Sequence, residues 1–96
     1  MDAFGNPPLC AAAKRGALDE MRALLEGGAD VNVRGLLRCT PLILAVAEGH
    51  LEAVSLLLQH GAQVDLTNQY GDTALDRAKA ARWTAIMAVL EPPVAT

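Results

Sequence analysis

Apolar side chains recur along this chain at the three- and four-residue spacing of helices that bury one face. Leu51, Val54, Leu57 and Leu58 fall on one side of a segment running from about Leu51 to Gln59. Leu18, Met21, Leu24 and Leu25 repeat that face earlier in the chain. Ahead of the later segment stands Pro41, a residue suited to a first helical turn because its missing N–H would be unpaired there. Thr40, just before it, offers a capping oxygen. Gly49 is expected to end this shorter helix and Gly61 the longer one, since glycine enters the left-handed conformation common just past a helix end. The pattern predicts short helices arranged in pairs.

The pairs repeat. Pro8-Leu9 recurs as Pro41-Leu42, Gly16 as Gly49, Met21 with Leu24-Leu25 as Val54 with Leu57-Leu58, and Gly28-Ala29 as Gly61-Ala62, each at an offset of 33 residues. A fainter third copy sets Thr73, Leu75, Ala78 and Leu90 on Thr40, Leu42, Ala45 and Leu57. One such pair cannot bury its apolar stripe, whereas stacked copies share a core that runs along the stack. An ordinary helical bundle would leave the recurring glycines and Pro-Leu steps unexplained. The expected fold class is therefore all-α, a solenoid of stacked helix-turn-helix units.

Composition agrees. The 96 residues are 52% hydrophobic but only 3% aromatic, so alanine and leucine dominate, which suits close-packed helices better than strands. The net charge of −3 argues against nucleic acid, whose binders present a basic face. Lys14-Arg15 and Arg77, Lys79, Arg82 are short basic groups diluted by acids. No apolar run approaches the roughly 18–20 residues of a membrane span, and MDAFGNPPL has no basic region followed by an apolar core, so no membrane or secretory segment is expected. Cys10 and Cys39 give no disulfide framework and read as free thiols of a reducing compartment, the cytoplasm or nucleus.

Residues 40–65, TPLILAVAEGHLEAVSLLLQHGAQVD, closely resemble an ankyrin repeat, whose hallmark includes T-P-L-H-x-A. Residues 7–32 are similar to an amino-terminal variant and residues 71–90 to a shortened closing repeat. The resemblance implies one ankyrin-repeat domain with repeats at about 4–34, 35–67 and 68–91, joined by hairpin-like loops and followed by a tail, 92–96. The paired prolines in LEPPVAT read as a true stop. The family's motif histidine is replaced by Cys10, Ile43 and Asp76. That histidine ties neighbouring loops through hydrogen bonds, so these copies lack that source of stiffness. The third copy has Arg82 in place of the mid-repeat glycine and Trp83 where His50 aligns, changes expected of a last repeat that meets water.

Nothing in the sequence sets a nucleophile beside a base, so an enzyme, a cofactor and a small-molecule substrate are not expected. His50 and His60 are ten residues apart, not the four that let two histidines on one helix share a metal. The scattered acids Asp19, Glu20, Glu26, Asp30, Glu48 and Glu52 read as a solvated face. Cys10 is expected to be a small core side chain and Cys39 to be more exposed.

The resemblance implies instead a non-enzymatic interaction module, an adaptor or inhibitor that binds a protein partner as a monomer. Family members meet partners through the tips between repeats and the exposed face of each first helix. By position these are Phe4, Leu36, Leu37, Arg38, Gln69, Tyr70 and Asp72 on the tips, and Lys14, Arg15 and Glu48 on the helices. Phe4, Leu37 and Tyr70 share one tip position, 33 residues apart. With stacked helices roughly 8–10 Å apart they would make an apolar stripe, either presented to a partner or folded back on neighbouring loops. The alternative role is a structural or targeting domain of a larger protein. Asn32 matches the position at which an intracellular asparaginyl hydroxylase modifies family members, with Leu24 eight residues earlier; its other role is in loop hydrogen bonds.

The tip at 34–39, RGLLRC, has Arg38 where the third copy has Gly71, and its glycine lies earlier, at Gly35. An L-residue in the left-handed well costs about 1–2 kcal/mol. A differently shaped turn, rather than a strained copy, is therefore expected.

Overall fold

Proline or threonine opens the first helix of each pair, as the pattern requires. The computed structural model describes residues 5–91 and contains six α-helices and no strand among them. They are α1 (Pro8–Arg15), α2 (Leu18–Glu26), α3 (Pro41–Ala47), α4 (Leu51–Gln59), α5 (Ala74–Ala81) and α6 (Thr84–Leu90). Thr40 caps α3, its Oγ1 accepting from the Ile43 N–H at 3.2 Å. Thr73 and Asp76 form a reciprocal capping box on α5, at 2.9 and 3.1 Å. Those bonds from Thr73 hold the Asp76 carboxyl below its ordinary range. Asp76 stands where the family has histidine and has become a cap.

The helices stack in two rows. α1, α3 and α5 pack side by side in one row, with α2, α4 and α6 behind them. Ala12, Ala45 and Ala78, all at 0% exposure, let the inner helices approach closely. Leu9, Met21, Leu42, Ile43, Val46, Val54 and Leu57 fill the shared core. Leu51, expected on the apolar face of α4, is instead exposed, while Ala53 and Leu56 are buried. The buried arc of α4 is broader than the single stripe because it touches a repeat on each side.

Each helix pair turns on the same bonds. Ala17, His50 and Trp83 donate to the carbonyls of Ala12, Ala45 and Ala78, and the residue before each is left-handed: Gly16, Gly49 and Arg82, with φ of 69°, 74° and 59°. The glycines have a second reason. A Cβ on Gly16 would lie 2.8 Å from the His50 ring, and one on Gly49 would lie 2.9 Å from the Trp83 ring. Each ring of one repeat thus seats under the turn of the repeat before it. His50 Nε2 also donates to the Lys14 carbonyl at 3.0 Å, so this histidine is structural. Arg82, in the last repeat, is exposed, so a side chain has room there.

The outer face of the third repeat is polar. Asp76, Lys79 and Glu91 take the places of Ile43, Val46 and Leu58, and Lys79 reaches Glu91 at 3.9 Å. Buried or half-buried stacking positions of the second repeat have become a solvated surface, the expected chemistry of a capping repeat.

Candidate protein-binding face

The two described tips close with matching backbone bonds. Gly35 N–H donates to the Cys39 carbonyl (2.8 Å) and Arg38 N–H to that of Gly35 (3.0 Å). In the next tip, Asn68 N–H donates to Asp72 (3.0 Å) and Gly71 N–H to Asn68 (3.1 Å). Inside the third tip the Asn68 side chain finishes the turn, its Oδ1 accepting from Tyr70 N–H at 2.9 Å and Asp72 N–H at 3.1 Å. The second tip has no side chain at the matching Gly35. It winds instead into a 3-10 turn, Leu36–Arg38, and borrows an acceptor: the Oδ1 of buried Asn6 takes the Leu36 N–H at 2.8 Å.

The expected reshaping of this tip is present, but the expected absence of strain is not. Leu37 and Arg38 are both left-handed, with φ of 58° and 61°. Arg38 occupies the well that Gly5 and Gly71 take at 81° and 83°. The turn keeps this strain because it aims the Leu37 carbonyl at the next repeat, where it accepts from Gln69 N–H at 2.9 Å. Arg34 reinforces the link, its Nη1 donating to the carbonyls of Arg38 (3.1 Å) and Thr67 (2.5 Å). Cys10, at the motif-histidine position, lies 3.6 Å from the Val33 carbonyl and 3.8 Å from that of Cys39. Loop-to-loop ties therefore exist without the histidine.

Leu37 and Tyr70 border a groove of about 260 Å³ whose floor includes Ile43, Leu44 and Ala47 of α3. Asp72 and Arg77 also line it. Leu37 is 42% exposed and Tyr70 67%, so neither is folded away under a neighbouring loop. Leu36, equally exposed at 45%, stands outside the groove. Cys39 lies at its base and is buried, contrary to the expectation of an exposed thiol. Burial pushes its thiol pKa up, against the lowering effects of Asn68, Arg77 and Arg34. Neither cysteine forms a disulfide among the described residues.

The other candidate positions are spread more widely. Phe4 lies outside the described residues. Gln69 and Arg38 are exposed on the tips, their backbones committed to the bonds above. Lys14 is half-buried at the end of α1; Arg15 is exposed and ion-paired with Glu20; Glu48 is exposed beyond α3. None of these three helix residues lines the groove. Asn32 bridges two repeats, its Oδ1 accepting from Gln63 N–H at 2.9 Å. No cluster of histidine, cysteine and acidic residues fit for a metal occurs among the described residues.

Sequence reasoning missed Asn6, Arg34, Asn68 and Arg77. The last had a readable signal: it stands in register with Ala11 and Leu44, a charged residue where the other copies are apolar. Asn6 had none, because its partner is thirty residues away.

Comparison with known proteins bears on the whole stack. Residues 9–90 match the family described as ankyrin repeats, in three copies. A probable E3 ubiquitin-protein ligase XBOS32 from Oryza sativa subsp. japonica is 44% identical over 72 residues, covering 73% of this chain and 14% of that protein. The potassium channel KOR2 of the same plant is 31% identical over 83 residues, 86% of this chain and 12% of the channel. Protein fem-1 homolog C from Xenopus laevis is 45% identical over 72 residues, 75% of this chain and 11% of that protein. The chain spans a seventh or less of the length of these curated relatives. No helix among the described residues is long and apolar enough to cross a membrane.

Proposed function

The chain belongs to the ankyrin-repeat family, whose repeats are generally protein–protein interaction modules, and from that premise we propose a non-enzymatic adaptor or inhibitor that holds a protein partner on its tips and inner helices. The observation that carries this reading is the groove between Leu37 and Tyr70, floored by α3. Two large apolar side chains stand in water at matching positions of successive repeats, held apart by hydrogen-bonded turns. Such preorganisation lowers the ordering cost of binding. A specific interface buries roughly 800 Å² per partner, so the partner would cover much of this face. The free thiols favour a reducing compartment, the cytoplasm or nucleus.

A second reading, a structural or targeting unit of a larger protein, is favoured by the small share of each relative that the chain covers. Affinity capture from cell extract tests the first. A Leu37→Asp/Tyr70→Asp double variant that keeps its circular-dichroism spectrum and melting transition is expected to lose at least about tenfold of the captured partner, as apolar anchors commonly carry most of an interface's energy. If wild type and folded variant recover the same partners in the same amounts, the interaction reading of this groove is wrong.

A further inference from the structure

The interaction reading leaves open what kind of segment the groove takes, and its charge narrows the choice. Among the described residues the ion pairs are Arg15–Glu20, Arg22–Asp19 and Lys79–Glu91. None involves the guanidinium groups around the groove. Arg77 lines it beside Leu44 and Ala47; Arg38 stands exposed on the bordering tip; Arg34 is bound only to the carbonyls of Arg38 and Thr67. Asp72 is the one carboxylate lining the groove, and it too lacks an ion-pair partner. Around Cys39, at the base of the groove, Arg77 and Arg34 act against Asp72, two cations against one anion on a chain whose net charge is −3.

The rest of the groove is apolar and narrow. Leu37 and Tyr70 form its walls, and Ile43, Leu44 and Ala47 its floor. At about 260 Å³ it is smaller than the roughly 300–1,000 Å³ typical of small-molecule sites. It is sized for individual side chains entering from an extended backbone. An apolar side chain seated between Leu37 and Tyr70 would bring its neighbours along the chain level with Arg77. A carboxylate there would gain a charge-assisted, fork-shaped contact that lysine could not fully reproduce.

Resting on the interaction reading above, we infer that the occupant is an extended protein segment in which an apolar side chain, for the Leu37–Tyr70 cleft, lies next to a carboxylate, for Arg77. The apolar side chain supplies burial, and the acid sets register and selects against basic segments, which Arg77 and Arg34 repel. The cluster's position is consistent with the field at Cys39, where Arg77, Arg34 and Asp72 all act.

A displayed library of random linear peptides, selected on the full chain, tests this directly. Clones that bind wild type but not the folded Leu37→Asp/Tyr70→Asp variant report the groove. They are expected to pair Leu, Ile or Phe with a nearby Asp or Glu. A synthetic peptide from that set should bind Arg77→Glu about tenfold more weakly, a usual scale for reversing a partly desolvated charge. It should bind Arg82→Glu, on the opposite edge of the stack, as it binds wild type. Replacing the peptide's acid by lysine should restore binding to Arg77→Glu, a rescue that misfolding cannot imitate. Groove-dependent clones without an acidic preference, indifferent to Arg77→Glu, overturn the inference and leave the interaction reading intact. An absence of groove-dependent clones overturns both.

Discussion

The tips at 34–39 and 67–72 close with the same pair of backbone hydrogen bonds, yet they are held in opposite ways. The third tip completes its turn from within, Asn68 supplying one oxygen that takes two N–H groups of its own turn, while its Gln69 N–H reaches back to the Leu37 carbonyl. The second tip has glycine at that position and depends on Asn6, a buried residue of the preceding repeat. Gly35 itself has φ of −109°, so no left-handed conformation demands it. The neighbour demands it. A Cβ at Gly35 would lie 2.5 Å from Asn6 Oδ1 and 3.0 Å from Cys10 Sγ. The asparagine that completes one turn from within is thus excluded from the other by an asparagine reaching in from outside. The lesson is that equivalent loops of a solenoid share a backbone path more readily than a side-chain solution.

This comparison breaks most severely at Gly35. Gly35→Ala forces Asn6 aside and strands the Leu36 N–H, and should destabilise the chain by about 3 kcal/mol, combining overpacking with a lost buried bond. Urea unfolding measures it, and a loss under about 1 kcal/mol would show that the borrowed asparagine is dispensable. Asn68→Ala removes the internal acceptor of the third tip. Asn68 is buried and its two bonds are as partly buried as the one from Leu36, but its truncation adds no overpacking, so the expected cost is smaller, about 1–2 kcal/mol in the same titration. If Asn68→Ala costs more than Gly35→Ala, the dependence of the two tips is ranked the wrong way round.

The smallest effect has the opposite sign. Arg38 takes a left-handed conformation that glycine takes in the flanking tips. Arg38→Gly removes a strain of about 1–2 kcal/mol and adds roughly 0.5–1 kcal/mol of unfolded-state entropy. A net gain of about 0.5–1 kcal/mol is expected, visible as a small rise in the urea midpoint with an unchanged slope. A loss of stability would mean that the arginine side chain supports the tip.

Much of the architecture was legible because it repeats. Residues such as Ala12, Ala45 and Ala78, or Leu9 and Leu42, face a neighbour of the same kind in every copy, so the burial requirement recurs at the same offset. The helix boundaries followed from local chemistry at Pro41, Thr40 and Gly49. The tip candidates Leu37, Tyr70 and Asp72 were found by alignment of copies and meet around one groove. Lys14, Arg15 and Glu48, which follow from the family resemblance, lie outside it, because position along a helix does not say how far the groove extends.

The sequence by itself determined the repeat, its helix pairs, the closing character of the third copy and the row of tips, since each depends on spacing or on the chemistry of a single residue. Only the tertiary structure decided that Cys39 is buried, that Leu37 and Arg38 carry left-handed strain, and that Arg77 rather than Glu48 borders the groove. Those outcomes depend on groups from different repeats meeting at hydrogen-bond or van der Waals distance, as Asn6 meets Leu36 and Leu37 meets Gln69. A period shows which positions are equivalent; it does not show which neighbour arrives first at a space that only one of them can fill.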